Sequence, residues 1–155
     1  ANNVNMARQP YEPNYRGLVD AVIDLKEGFP TFAPAQVTFT ATAFEAVTEG
    51  DALFMRTSDG KVGKASAANG LLENSSVIGF AQISALADES LQVVVAGLKD
   101  ISGLDAGDLF FLSATTSGGI TKTPPSTAGQ AVVRIGEAAT NTKLSIQIEP
   151  PIKLS

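Results

Sequence analysis

The sequence predicts an all-β fold, a compact β-barrel or β-sandwich made of two tandem strand-and-turn repeats behind an extended N-terminal arm. Three observations predict it. Charged residues make up only 17% of the 155 positions, where a helical bundle would carry more Glu, Lys and Arg. Fourteen Gly, with many Thr, Ser and Ala, supply turns and small strand residues. Finally, one pattern of strands and glycine turns occurs twice in the same order, with its leading blocks 57 positions apart.

The arm comes first. Residues 1–35 form the first predicted region, and Pro10, Pro13 and Pro30 exclude regular helix around them. Between them, Leu18-Val19-Asp20-Ala21-Val22-Ile23-Asp24-Leu25 fits a short strand, because Val19, Val22 and Ile23 are β-branched. Leu18, Val22 and Leu25 would also line one face of a helix. The first sixteen residues read as extended chain. As a monomer's tail they would be disordered, but they carry Met6, Arg8, Tyr11, Tyr15 and Arg16, residue types enriched where proteins meet proteins, and these five are the candidate partner-binding residues. Fully extended, the segment would span about 50 Å, enough to reach a neighbouring subunit.

The duplicated domain is expected over 36–155, with repeat 1 at about 36–97 and repeat 2 at about 98–151. Gln36-Val37-Thr38-Phe39-Thr40-Ala41 alternates apolar and hydroxyl-bearing residues, as a half-buried strand does. Glu49-Gly50-Asp51-Ala52-Leu53-Phe54-Met55 then matches Ala106-Gly107-Asp108-Leu109-Phe110-Phe111-Leu112. A glycine turn and an apolar/Lys pair follow each block, Asp59 to Lys64 in the first copy and Gly118 to Lys122 in the second. Ile78-Gly79-Phe80-Ala81 answers Ile135-Gly136-Glu137-Ala138, and Leu91-Gln92-Val93-Val94-Val95 answers Leu144-Ser145-Ile146-Gln147-Ile148. Glycines at matching places imply bulges or positive-φ turns that are needed twice. Pro124-Pro125 cannot belong to a central strand.

Composition also excludes functions. The chain has no Cys and no His, which removes thiol nucleophiles, thiolate metal sites, the commonest general base and any Ser-His-Asp triad within it. A formal charge of -5 without a basic stripe argues against nucleic acid as a partner. No run of about 18 apolar residues exists to span a membrane, and no signal peptide is visible. No cofactor or metal is expected, and the chain is read as a non-enzyme.

Several residues tempt a sharper reading. Asp51 and Asp108 place one carboxylate in each repeat, the logic of an aspartic protease, but Thr or Ser followed by Gly does not follow either Asp. A Gly-Asp corner, with the carboxylate bonding a nearby backbone N–H, explains them better. Asp100, Asp105 and Asp108 lack the spacing of a calcium loop, and Asp88-Glu89 reads as an exposed turn. Asn74-Ser75-Ser76 matches a glycosylation sequon but reads as loop. Lys61, Lys64 and Lys122 are expected to guard strand faces or edges, and Phe54, Phe80, Phe110 and Phe111 to lie in the core.

Gly103 to Leu112 resembles a recurring segment of tailed-phage virion proteins. So does Thr121 to Pro151, with its Pro-Pro-Ser-Thr-Ala-Gly-Gln loop, Val133-Arg134-Ile135-Gly136 strand and Ile146-Gln147-Ile148-Glu149-Pro150-Pro151 ending. The body as a whole is similar to small phage capsid decoration (cement) proteins, with Val47-Thr48-Glu49-Gly50-Asp51 as the turn that opens their pattern. The resemblance covers about two-thirds of the chain and says little about residues 1–35. It implies a homotrimer on the outer capsid surface, made in the host cytoplasm, that binds the major capsid protein at capsomer junctions and stabilises the shell. The alternative that the same resemblance implies is a head- or tail-fibre module that binds a receptor or glycan.

Overall fold

In the computed structural model, residues 36–155 are described, and nearly all of their regular structure is strand. The first unit contains β1 (Val37–Thr42), β2 (Ala52–Met55), β3 (Val62–Lys64), the single helical turn α1 (Leu72–Ser75), β4 (Val77–Ala81) and β5 (Ser90–Ala96). The second contains β6 (Leu98–Asp100), β7 (Leu109–Leu112), β8 (Ile120–Thr121), β10 (Arg134–Ala138) and β11 (Lys143–Ile146). Two further short strands, β9 (Ala131–Val132) and β12 (Ile152–Lys153), pair with each other. The sequon sits on α1 with Ser75 buried, so that segment is not the plain loop expected of it.

The duplication expected from the sequence is present in the topology. The first sheet has the strand order β1-β5-β4-β2-β3 and the second β6-β11-β10-β7-β8, which is the same order unit by unit. Even the irregularities repeat. Leu53 pairs with Gly79 and Phe54 with Val77, leaving Ile78 as the extra residue of a bulge. Fifty-seven positions on, Phe110 pairs with Gly136 and Phe111 with Arg134, leaving Ile135 in the same place. The bulge is possible because the neighbouring strand passes over a glycine. A Cβ on Gly79 would stand well inside 3.0 Å of the Val94 carbonyl oxygen, and one on Gly136 likewise of the Ser145 carbonyl oxygen.

Those two carbonyls correct one expectation. The closing strands correspond as Val93 with Leu144 and Val94 with Ser145, two residues out of step with the match read from the sequence. The cause is the segment that joins the paired strands, six residues longer between Ala81 and its partner Val93 than between Ala138 and its partner Leu144. Sequence matching placed similar apolar runs together, whereas the ladder is fixed by backbone pairing.

Neither sheet closes, so the barrel expectation fails. At the first sheet's open side a lone parallel bridge, Ala43 to Val62, brings β3 against the chain leaving β1. The units instead stack, with one core shared between them and a second core inside the first unit. At matched positions, Val47, Leu53, Ala81 and Val93 line the inner face of the first unit, and Leu104, Phe110, Ala138 and Leu144 that of the second. The second unit's inner face is filled by Ala52, Phe54, Val77 and Phe80, which lie on the outer face of the first. Backbone bonds stitch the junction, Ala52 N–H to the Gly118 carbonyl, Gly118 N–H to that of Ala65, and Ala67 N–H to that of Ser113. The packing is therefore head to tail, not two-fold symmetric.

Head-to-tail stacking leaves two ends to be finished. On the second unit's outer face, Arg134 and Glu137 replace the buried Val77 and Phe80 of the first. At the other end, the longer β4–β5 loop folds over the first unit's inner face. It inserts Ala85, which exchanges both backbone bonds with Val47.

Candidate functional site

Both Gly-Asp corners are built alike. Gly50 and Gly107 have φ of 90° and 91°, a region in which a side chain is strained. The Gly50 N–H donates to the Ala81 carbonyl at 2.9 Å and the Gly107 N–H to the Ala138 carbonyl at 2.8 Å. The following Asp carbonyls accept the return bonds from Ala81 and Ala138, each at 2.9 Å. Each corner thereby ties the start of β2 or β7 to the end of β4 or β10.

The two carboxylates do different work. Asp51 Oδ2 accepts the Thr48 N–H at 2.8 Å and lies against Gly118 of the second unit. Burial pushes its carboxyl above the ordinary carboxylate value, opposed by the Thr48 N–H and the Lys64 charge. Asp108 instead meets Lys122 Nζ at 3.2 Å, which Asp105 also meets at 2.9 Å. The hydrogen bonds that Lys122 donates to Asp105 and Asp108 raise its pKa. Among the described residues, no hydrogen bond joins Asp51 to Asp108. A proton-sharing dyad requires carboxylates in contact, so the geometry is that of two corners.

Three other aspartates also meet basic groups. Asp100 pairs with Lys143, whose hydrogen bond lowers its pKa. The Arg56 side chain holds Asp59 at about 2. Lys61 reaches Asp88 at 2.8 Å, and Asp88 has φ of 69°, unusual for a residue with a side chain. Among the described residues, no group of three acidic side chains is placed to hold a metal ion. Lys61 precedes the edge strand β3, Lys64 ends it, and Lys122 follows the edge strand β8, where charge disfavours unwanted strand pairing. Phe54, Phe80 and Phe110 are buried as expected, but Phe111 is half-buried on the second unit's outer face.

Met6, Arg8, Tyr11, Tyr15 and Arg16 lie outside the described residues, as do the whole arm and its expected strand. Within the described body, three surface features offer themselves for binding. A groove of about 520 Å³ lies between the β7–β8 hairpin and the Pro124-Pro125 loop, lined largely by Ser and Thr hydroxyls. Another, of about 500 Å³, is formed by Leu109, Phe111 and Pro124 with Asp108 and Lys122. The third, about 310 Å³, runs beside the β4–β5 loop between Val47, Leu86 and Glu89.

The sequence marks that loop only through Asp88-Glu89, read as an exposed turn, and through one further signal. The repeat offset changes between Gly79/Gly136 and the closing strands, which marks an insertion in the first copy. Lys99 was missed. It is only 3% exposed, donates to the Asp100 carbonyl at 3.2 Å and lies 3.6 Å from Glu49. The first Gly-Asp corner is thus linked to β6 of the second unit.

No protein-family model matches this chain, and no curated protein matches it significantly.

Proposed function

We propose that this chain is a non-enzymatic virion protein, a capsid decoration protein that cements the shell of a tailed phage. What carries the reading is the duplicated body, two units of identical strand order joined by a shared core, together with the phage-like segments that build its corners and closing strands. Such a body is rigid. Its loops and grooves are presented on a fixed frame, which suits a part that must fit a repeating surface.

In this reading the protein acts as a homotrimer on the outer capsid surface, at the junctions between capsomers of the major capsid protein. A trimer at a junction touches several capsid subunits at once, so weak individual contacts add through effective concentration. Residues 1–16 extend that grip through Met6, Arg8, Tyr11, Tyr15 and Arg16. Separating capsomers under internal pressure then requires breaking these added contacts.

The test is to mix the purified protein with expanded, undecorated capsids and image the shells. Regular density at capsomer junctions is expected. Shells without it would remove the reading. A second reading, a fibre module that binds a glycan, is favoured by the hydroxyl-lined groove beside Pro124-Pro125. A glycan array separates the two, since the cement reading expects no specific glycan on it.

A further inference from the structure

We infer that the β4–β5 loop of the first unit is a docking knob for a basic-rimmed protein surface, which under the proposed function is the outer face of the capsid shell. The inference rests on that reading and deepens it by naming the element that makes contact.

The argument starts from an asymmetry. Two units that share strand order, bulges and glycine corners differ by six residues in the segment between the paired positions, Ala81 to Val93 against Ala138 to Leu144. Capping the first unit's inner face explains only part of the insertion, because Ala85 does that work and is 5% exposed. Its neighbours face the other way. Ile83 is 51% exposed and Leu86 is 64% exposed, side chains whose burial within the chain would have been favourable.

The loop is also held in one shape. The Asp88 N–H donates to the Ala43 carbonyl, the Leu86 N–H to Glu89 Oε1, and the Glu49 N–H to Ser84 Oγ. Asp88 keeps a left-handed backbone there, a strained state retained where surroundings enforce it. A fixed loop presenting two aliphatic side chains in water is preorganised for a protein contact, since little entropy remains to be lost on binding.

Charge selects the partner. Around the loop, Asp88 is paired with Lys61 and Glu49 lies 3.6 Å from Lys99, while Glu89 meets no basic side chain among the described residues. Glu49 and Glu89 flank the loop, with Glu89 beside the 310 Å³ groove. An apolar knob with an acidic border fits a cleft bordered by Lys or Arg.

The experiment uses the full chain and expanded, undecorated capsids of the virus that encodes it. Binding is measured by co-sedimentation across a salt series for the unaltered protein, the double variant I83N/L86N and the charge variant E49Q/E89Q. Both apolar positions are more than half exposed, so the double variant should keep its melting temperature. The knob predicts at least a roughly ten-fold loss of affinity for I83N/L86N, scaled from two aliphatic side chains. It also predicts a flatter salt dependence for E49Q/E89Q, compared at a temperature where that variant is shown to be folded because Glu49 also faces the buried Lys99. Wild-type affinity in the double variant overturns the inference alone. A smaller mass in solution for I83N/L86N also overturns it, since the loop would then join copies of this chain, whose Arg8 and Arg16 offer the same basic chemistry. If the unaltered protein fails to bind, the cement reading falls and takes the inference with it.

Discussion

Replacing Gly79 or Gly136 by Ala tests the duplicated architecture at its tightest point. In each unit a methyl group would project at the backbone carbonyl of the adjacent strand, well inside 3.0 Å. A methyl has no rotamer by which to escape, and a carbonyl in a ladder cannot swing aside without giving up its hydrogen bond. Overpacking of this kind costs about 1–3 kcal/mol, and a weakened ladder bond adds about 1 kcal/mol. Lower entropy in the unfolded alanine chain offsets about 0.4–1 kcal/mol. The net loss should be roughly 1.5–3 kcal/mol, or about 5–12 °C in melting temperature for a body of this size. Gly103→Ala is the control. Gly103 has φ of 80° and nothing within 4 Å of an added Cβ, so it suffers backbone strain without collision. Its loss should be smaller, about 1 kcal/mol. Thermal and urea unfolding measure all three, and the two sheet glycines should lose equal stability within about 1 kcal/mol, like mutations at equivalent sites. A Gly136→Ala protein that melts with the wild type would refute the equivalence of the two bulges.

Further outcomes follow from the titrating aspartates, the buried lysine and the arm. Burial raises the folded-state pKa of Asp51, so its ionised form opposes folding above that value and the penalty is relieved as pH falls toward the ordinary 3.8. Asp51→Asn keeps an acceptor for the Thr48 N–H. It should stabilise the protein at pH 7, by less than about 1 kcal/mol after screening, with the gain vanishing near pH 4; equal melting curves at pH 7 would contradict this. Asp59, held at about 2 by Arg56, titrates with the opposite sign, and its contribution is lost as pH falls below the usual carboxylate range. Lys99→Met should unfold in urea within about 1 kcal/mol of wild type or later, because removing a buried charge also removes its desolvation penalty. Glu49→Ala should be worse than Lys99→Met, since it leaves the buried ammonium without its carboxylate; the reverse order would contradict the pairing. Deleting residues 1–16 should weaken capsid binding in co-sedimentation, while unchanged affinity would sink the clamp role of the arm.

The sequence by itself determined the all-β class, the duplication and the paired corners. These depend on local chemistry: β-branched and hydroxyl residues in alternation, and glycines where φ is positive or a strand passes close. Of the two Asp side chains, Asp51 makes the expected bond to a nearby backbone N–H, whereas Asp108 turns to Lys122, which lies outside its corner. Only the tertiary structure decided how the units join. That Val77 and Phe80 are buried while Arg134 and Glu137 cap the equivalent face cannot be read along the chain, since which sheet face is covered depends on the other unit. Packing also decided that neither sheet closes, that Lys99 lies beneath the Glu49 corner, and that the closing strands are shifted by two residues. Local pattern fixes the period of a strand, but its register and its buried side are settled by the partner it packs against.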